Sequence, residues 1–123
     1  IYPNSLSGGM EQLTAVARSF ITDSKILLLD EPFASLDAIT REKMNQELLK
    51  LWQSKRKTII LVTHSIQEAV FLADEVLVMS SRPGTVKSII KINLSRPRKL
   101  SVLNSSEFNR IVKTVRDDIE KPA

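Results

Sequence analysis

The chain has 123 residues, a net charge of +4 and an ordinary hydrophobic fraction of 42%, which suits one globular domain with a hydrophobic core. Cysteine is absent, which excludes disulfides and thiolate metal sites and fits a reducing compartment, and no apolar run approaches the roughly 20 residues that cross a bilayer. The first residue is Ile1, inside the approach to a motif, and residues 1–21 have no basic start followed by an apolar stretch. We therefore expect a fragment without a signal peptide.

Hydrophobic periodicity predicts helices that alternate with strands. Residues 1–6 are expected to form a loop, after which Ser7 caps a helix that extends to Ile21. The apolar runs Ile26–Leu29 and Thr58–Thr63 predict strands buried on both faces, as in parallel sheets. The remaining elements are helices near 38–53 and 66–73, strands over 76–79 and 86–92, and a last helix capped by Ser105. This order predicts the α/β class with a largely parallel sheet flanked by helices.

Leu6-Ser7-Gly8-Gly9-Met10, at the expected start of the first helix, has the features of an anion site. Helix N-termini present unpaired N–H groups and a partial positive charge, and glycines let a phosphate approach the backbone. The Ser7 hydroxyl would add one donor. A flexible turn with a helix cap is the simpler alternative when this motif is considered alone.

Acidic and imidazole side chains follow two predicted strands. Asp30 and Glu31 end the first apolar run, and His64 follows the second. Ligands gather at the carboxyl ends of strands in open α/β sheets. An aspartate there can hold Mg²⁺ through water, a neighbouring carboxylate can deprotonate an attacking water, and the histidine can contact a phosphate. Solvated strand-end acids and a structural histidine remain the alternatives, and Ser35-Leu36-Asp37 alone is merely a helix-capping loop.

The positive charge is concentrated in residues 82–99, which contain no acid. A solvated face is the ordinary interpretation, and a surface for anionic lipid or a partner is the alternative. No aromatic residue interleaves the cations to stack bases, which argues against nucleic acid. The basic residues are Arg82, Lys87, Lys91, Arg96, Arg98 and Lys99.

In their order along the chain, these motifs resemble the ATPase family of ABC transporters. Leu6–Met10 matches the family's signature motif, Ile26–Asp30 its Walker B strand and Glu31 its catalytic carboxylate. Ser35-Leu36-Asp37 matches its D-loop, and His64 its switch histidine. The resemblance covers nearly the whole chain. It implies the C-terminal part of a P-loop ABC-type ATPase domain over residues 1–97, with a connector and helix over residues 98–123.

The resemblance also implies roles in an intact subunit that binds ATP and Mg²⁺. Glu31 would polarise the attacking water, Asp30 would hold Mg²⁺ through water, and His64 would contact the γ-phosphate. Other residues would meet ATP held by a second ATPase subunit or couple the two sites across the dimer. These are Ser7, Gly8, Gly9 and Met10 for the nucleotide and Asp37 for the coupling.

Several features of the family pattern are missing. No Gly-x-x-x-x-Gly-Lys-Ser/Thr loop and no Q-loop occur in the sequence, so the cradle for the ATP phosphates is absent from these residues. Glu11 and Leu13 stand where the family usually has cations, and Ser65 where it usually has an acid. We expect Glu11 to lie within about one turn of the helix start, close enough to affect a bound phosphate.

Narrower similarities connect the chain to the nitrate, sulfonate and taurine importer ATPases, a group that also includes bicarbonate importers. They lie at Tyr2-Pro3, Asp30–Asp37, Glu68–Asp74 and Arg82-Pro83-Gly84. This likeness implies import of a small anion by a peripheral protein at the cytoplasmic face of the plasma membrane. The implied partners are a second ATPase subunit, permease subunits and an external solute-binding protein, with no nucleic acid. A non-transport ABC ATPase of translation or DNA repair and a non-catalytic remnant remain alternatives.

Overall fold

The computed structural model describes residues 3–81 and 84–122, with side chains described from Ser7 onward. The predicted motif positions Tyr2, Arg82 and Pro83 lie outside the described residues. Helices and strands are mixed along the described ranges, which confirms the α/β class. The elements are α1 Pro3–Phe20, β1 Ile26–Asp30, α2 Ala38–Ser54, β2 Thr58–Val62, α3 Ile66–Leu72, β3 Glu75–Met79, β4 Val86–Lys91, a 3₁₀ turn Leu100–Asn104 and α4 Ser106–Glu120.

The chain divides into two compact units at the peptide bond between His64 and Ser65. In the first unit β1 and β2 pair in parallel, with Asp30 opposite Val62 at the carboxyl edge. Helix α2 connects the two strands, and α1 packs against α2 and β1. The parallel pairing predicted from the two apolar runs is therefore present, and it aligns the ends of both strands.

The second unit is built around α4, which packs against α3, β3 and β4. Strands β3 and β4 pair antiparallel, with Val76 opposite Ile90. A short connection joins them, and such a link permits an antiparallel hairpin but not a parallel crossover. Ser105 accepts a hydrogen bond from the Phe108 N–H at 3.1 Å, so this residue caps α4 as predicted.

Helix α1 begins earlier than predicted. It starts at Pro3, so residues 3–6 are helical and Ser7 lies inside the helix instead of capping it. Proline suits the first turn of a helix, because its fixed φ is helical and no partner is needed there for the missing N–H. Gly8 and Gly9 consequently lie in the second turn, away from the unpaired N–H groups of the helix start.

Strand β1 is buried on one face and β2 is half-buried on one face, so the prediction of burial on both faces is wrong for these residues. Leu27 and Leu29 are buried, whereas Leu28 is 69% exposed. Strand β2 likewise exposes Ile60 and Val62. Alternation of this kind appears where packed elements cover one face of a sheet, and no described element of this unit covers the other. None of the helices in the described ranges is long and apolar enough to span a membrane.

Candidate functional site

The carboxyl edge of β1 and β2 brings together Glu31 and His64. The Glu31 N–H donates to the Val62 carbonyl at 2.7 Å, which extends the parallel ladder one residue beyond β1. Glu31 Oε1 and His64 Nε2 are 3.7 Å apart, too far for a direct hydrogen bond. The His64 side chain is 91% exposed and that of Glu31 34% exposed. Both groups are therefore accessible to a ligand arriving from solvent at this edge.

Glu31 has an unusual backbone conformation, with φ of 44°. This left-handed region is sparsely populated by residues with a side chain, and holding one there costs on the order of 1–3 kcal/mol. The conformation turns the chain away from β1, and the Glu31 carbonyl accepts from the Ala34 N–H at 3.2 Å. Strain of this kind persists where surrounding contacts impose it, and it is concentrated at functional sites.

Asp37 ends the same turn and caps α2. Its two carboxylate oxygens accept from the Thr40 N–H at 2.8 Å and from the Thr40 hydroxyl at 3.0 Å. The residue has extended backbone geometry, as an N-cap requires. The structure thus agrees with the interpretation of Ser35-Leu36-Asp37 as a helix-capping loop. Its role in coupling two nucleotide sites stays a prediction.

Gly8 and Gly9 pack α1 against the start of α2. A Cβ on Gly9 would lie 2.9 Å from Thr40 Cγ2 and 3.2 Å from Met44 Cγ, so a side chain there would force these atoms apart. A Cβ on Gly8 would meet Leu36 Cδ2 at 3.9 Å, which is an ordinary contact. Gly9 therefore has a packing reason to be glycine, independent of any phosphate.

Ser7 and Met10, the other candidates on α1, are exposed to solvent. Met10 keeps 51% of its surface, and its carbonyl accepts from the Thr14 hydroxyl at 2.7 Å. The candidates thus form two groups, Glu31 with His64 at the strand ends, and Gly8 with Gly9 against α2. Residues 32–36 join these groups along the chain.

Asp30 is a candidate ligand for a cation. It is exposed at the last position of β1, beside the turn that follows Glu31. The described residues contain no cluster of three His, Cys, Asp or Glu side chains that could hold a metal by themselves. Mg²⁺ commonly uses one or two carboxylates and completes its shell with water and phosphate oxygens. A single accessible carboxylate at this edge fits that kind of site, and it does not fit a cage built from protein alone.

Sequence reasoning missed Arg41, four residues after the capping Asp37. Its guanidinium donates to three carbonyls of the turn between Glu31 and Asp37. The only sequence signal for such a role was the position of Arg41 in the first turn of the predicted helix. Nothing in the sequence distinguishes it there from the exposed cations further along the helix, because main-chain acceptors have no sequence signature.

Part of the basic segment is hydrogen-bonded within the second unit, whereas Lys91 and Lys99 are exposed. Arg98 is only 6% exposed and donates to the carbonyls of Val70, Phe71 and Ala73 at the end of α3. It also donates to the carbonyls of Ile92 and Leu94. Burial, and secondarily the charge of Arg96, lower the pKa of Arg98 to about 10, against an opposing effect of Asp74. The side chain therefore remains a cation at neutral pH.

Arg96 and Lys87 are engaged in a similar way. Arg96 donates to the Asp74 carboxylate at 2.9 Å and to the Leu72 carbonyl at 2.7 Å. Lys87 donates to the carbonyls of Ile119 and Lys121 near the end of α4. Arg98, Arg96 and Lys87 thus serve mainly as donors to main-chain carbonyls. The exposed Lys91 and Lys99 fit the solvated face that was the ordinary interpretation, and a surface for a partner stays a prediction.

Comparison with known proteins finds relatives over nearly the whole chain. Residues 1–34 match the family model described as ABC transporter. The chain is 48% identical over 121 residues, or 98% of its length, to an uncharacterized ABC transporter ATP-binding protein of Methanocaldococcus jannaschii, covering 45% of that protein. It is 42% identical over 120 residues to an aliphatic sulfonates import ATP-binding protein of Bacillus cereus, covering 98% of this chain and 47% of that protein.

A further relative is a putative ATP-binding protein of Brucella abortus, 47% identical over 109 residues, which covers 89% of this chain and 42% of that protein. Over nearly its whole length the chain is thus similar to ABC transporter ATP-binding proteins, in agreement with the resemblance of its motifs. The chain spans about half the length of the curated relatives it matches.

Proposed function

We propose that this chain is the C-terminal part of the ATP-hydrolysing subunit of an ABC importer. Residues 1–97 would belong to the ATPase domain, and residues 98–123 would form a C-terminal connector and helix. The observation that carries the proposal is the pairing of Glu31 with His64, 3.7 Å apart at the carboxyl edge of two parallel strands. A carboxylate and an imidazole accessible at such an edge suit a reaction between water and a phosphate.

In this proposal Glu31 orients the attacking water and takes its proton. Its carboxylate is partly exposed, so it is available to a water beside the strand end. His64 donates to the γ-phosphate. Asp30 would hold Mg²⁺ through water, and that ion would neutralise charge on the phosphate oxygens.

The exposed residues Ser7 and Met10 of α1 would meet ATP bound to a second ATPase subunit. Ser7 and Met10 lie exposed on this helix, and Gly8 and Gly9 bring it against the start of α2. A nucleotide contact at Ser7 would therefore be linked through α1 to the segment that ends in Asp37. This arrangement supports a role for Asp37 in coupling the two sites of a dimer.

The transported solute would be a small anion such as a sulfonate, nitrate, taurine or bicarbonate. Support comes from relatives named for the import of aliphatic sulfonates. The subunit would lie at the cytoplasmic face of the plasma membrane as a peripheral protein. Its partners there would be permease subunits, which receive solute from an external binding protein.

The test uses the complete subunit with its permease in lipid vesicles. We expect hydrolysis of Mg-ATP, stimulated by the solute-binding protein loaded with the correct anion and not by the unloaded protein. Four parallel assays with ethanesulfonate, taurine, nitrate and bicarbonate identify the solute. Absence of hydrolysis under all conditions contradicts the enzymatic proposal, whereas hydrolysis that no anion stimulates contradicts only the anion-import part.

The 123-residue chain by itself provides a simpler check. It lacks the Gly-rich loop and lysine that grip ATP phosphates in this family, so we expect very weak binding of Mg-ATP and no hydrolysis. Calorimetric titration measures this directly. Micromolar affinity of the isolated chain would mean that the residues present here hold the nucleotide without that loop.

A further inference from the structure

Arg41 makes three hydrogen bonds to one short turn. Its Nε donates to the Phe33 carbonyl at 3.2 Å, and one terminal nitrogen donates to the carbonyls of Ala34 at 3.1 Å and Leu36 at 2.9 Å. A guanidinium is planar and presents several donors at fixed angles, so one side chain can bind adjacent carbonyls together. The segment Phe33–Leu36 is thereby attached to the first turn of α2.

The same turn has few main-chain hydrogen bonds of its own. Ala34 N–H donates to the Glu31 carbonyl at 3.2 Å, and Leu36 N–H donates to the Phe33 carbonyl at 3.1 Å. The Phe33 side chain is 1% exposed and anchors one end of the turn in the core. Without Arg41, the carbonyls of Ala34 and Leu36 would lose their guanidinium donor, and the Phe33 carbonyl would keep only the Leu36 N–H. Only the two long main-chain hydrogen bonds would then hold the turn.

The position of the turn gives Arg41 its significance. Glu31 lies two residues before it in a left-handed conformation, and Asp37 follows it as the cap of α2. Leu36, at its end, faces Gly8 of α1. The turn therefore determines how the strand-end carboxylate is placed relative to the start of α2 and to the Gly8-Gly9 segment.

We propose that Arg41 is a positioning residue that holds the turn Phe33–Leu36 in one conformation and so fixes Glu31 relative to Asp37. Its expected effect on ATP hydrolysis rests on the proposed function, whereas its effect on the turn does not. A substitution of Arg41 should loosen the turn, weaken the coupling between two ATP sites and leave nucleotide affinity at a single site intact.

The first experiment measures amide hydrogen exchange in the complete subunit. In Arg41→Met, the amides of Ala34 and Leu36 should exchange about tenfold faster, as local opening of a loosely held segment does. Arg41→Lys keeps the charge but lacks the planar set of donors of a guanidinium, so its exchange rates should lie between those of the parent and of Arg41→Met. Lys43→Met, an exposed cation on the same helix, should match the parent, and amides within β1 should be unchanged in every variant.

The second experiment measures hydrolysis as a function of ATP concentration. We expect Arg41→Met to lower the Hill coefficient towards 1 and kcat by about tenfold, since small displacements of catalytic groups cost one to two orders of magnitude. The Kd for ATP, measured by titration of the same variant, should equal that of the parent. This split between Kd and kcat would not arise from a merely destabilised fold, which would weaken both.

The two experiments separate the possible failures. Unchanged exchange at Ala34 and Leu36 in Arg41→Met overturns the positioning role. Faster exchange with unchanged Hill coefficient and kcat overturns the link to the reaction. If the unmutated subunit does not hydrolyse ATP, the proposed function fails, and the exchange measurement still decides whether Arg41 holds the turn.

Discussion

Both compact units use an arginine to hold irregular backbone, but the two arginines serve different ends. Arg41 is half-buried and binds three carbonyls of a turn that adjoins exposed candidate site residues. Arg98 is buried and binds carbonyls at the end of α3 and after β4, in a part of the fold with no candidate site residue. The first arrangement places chemical groups, whereas the second completes a core.

The two units also differ in how fully their local preferences are satisfied. Within the described residues, the left-handed non-glycine conformation occurs at Glu31, and the buried side-chain atom without a hydrogen-bond partner is Asn45 Oδ1. Both belong to the first unit. In the second unit the amphipathic helix α4 buries its apolar face regularly. These two departures lie in the unit that contains the predicted chemistry, and strain at Glu31 is expected where function competes with stability.

The largest expected effect is loss of hydrolysis in Glu31→Gln of the complete subunit. The amide keeps the shape of the side chain but cannot accept a proton, so turnover should fall by about 10²–10⁴-fold, the range for loss of a general base. ATP should still bind, and the ATP-bound dimer should persist in size-exclusion chromatography. Glu42→Gln, an exposed change on α2, is the control. Turnover near the parent rate would show that Glu31 is not the general base and is only an acid at the end of a strand.

The second unit should respond through stability instead. Arg98→Met removes the donor to several buried carbonyls at once, and we expect a loss of about 2–4 kcal/mol in the free energy of unfolding. Urea unfolding of the complete subunit measures this. Lys99→Met, at the exposed neighbouring position, should leave the midpoint unchanged. Equal midpoints for both variants would show that water replaces the guanidinium at no cost.

A smaller effect separates the two glycines of α1. Gly9→Ala forces a Cβ to within 2.9 Å of Thr40 Cγ2, and overpacking of this kind costs roughly 1–3 kcal/mol, partly offset by the better helix propensity of alanine. Gly8→Ala meets Leu36 at 3.9 Å, so only the propensity gain of about 0.5–1 kcal/mol remains. Thermal unfolding should therefore shift in opposite directions. A shift of the same sign would show that α1 moves away from α2 easily.

Much of the first unit could be predicted from the sequence. The runs Ile26–Leu29 and Thr58–Thr63 are apolar and end in polar residues, and parallel pairing necessarily places both ends at one edge. The proximity of Glu31 to His64 follows from that geometry alone. Pattern reasoning succeeded here because the relevant distance is determined by backbone pairing and not by side-chain packing.

Other features depended on tertiary context. Pro3 and Asn4 suit a loop as well as a helix start, so the sequence did not determine where α1 begins. Whether one or both faces of a strand are buried depends on which elements pack against the sheet. The apolar runs do not indicate which elements these are. Arg41 and Arg98 bind carbonyls, and every residue has a carbonyl, so their partners are determined only by the fold.

The smallest expected effect concerns Glu11. It was predicted to lie in the first turn of α1, but the helix begins at Pro3, which places Glu11 in the third turn. Interaction with the helix dipole is confined to the first turn, so replacing this exposed acid should hardly change stability.

What remains for Glu11 is repulsion of a phosphate held by a second subunit. Mobile ions screen such a repulsion beyond about 8 Å at physiological salt, but only beyond about 30 Å at 0.01 M. We therefore expect Glu11→Arg to raise ATP-driven dimerisation or turnover a few-fold at low salt, with less gain at 0.15 M. Glu11→Gln removes the negative charge without adding a cation, so it should give about half the effect in free energy. If both variants match the parent at 0.01 M salt, the acid lies too far from the phosphate to influence it, and α1 would then contribute to a nucleotide site only through residues around the exposed Ser7.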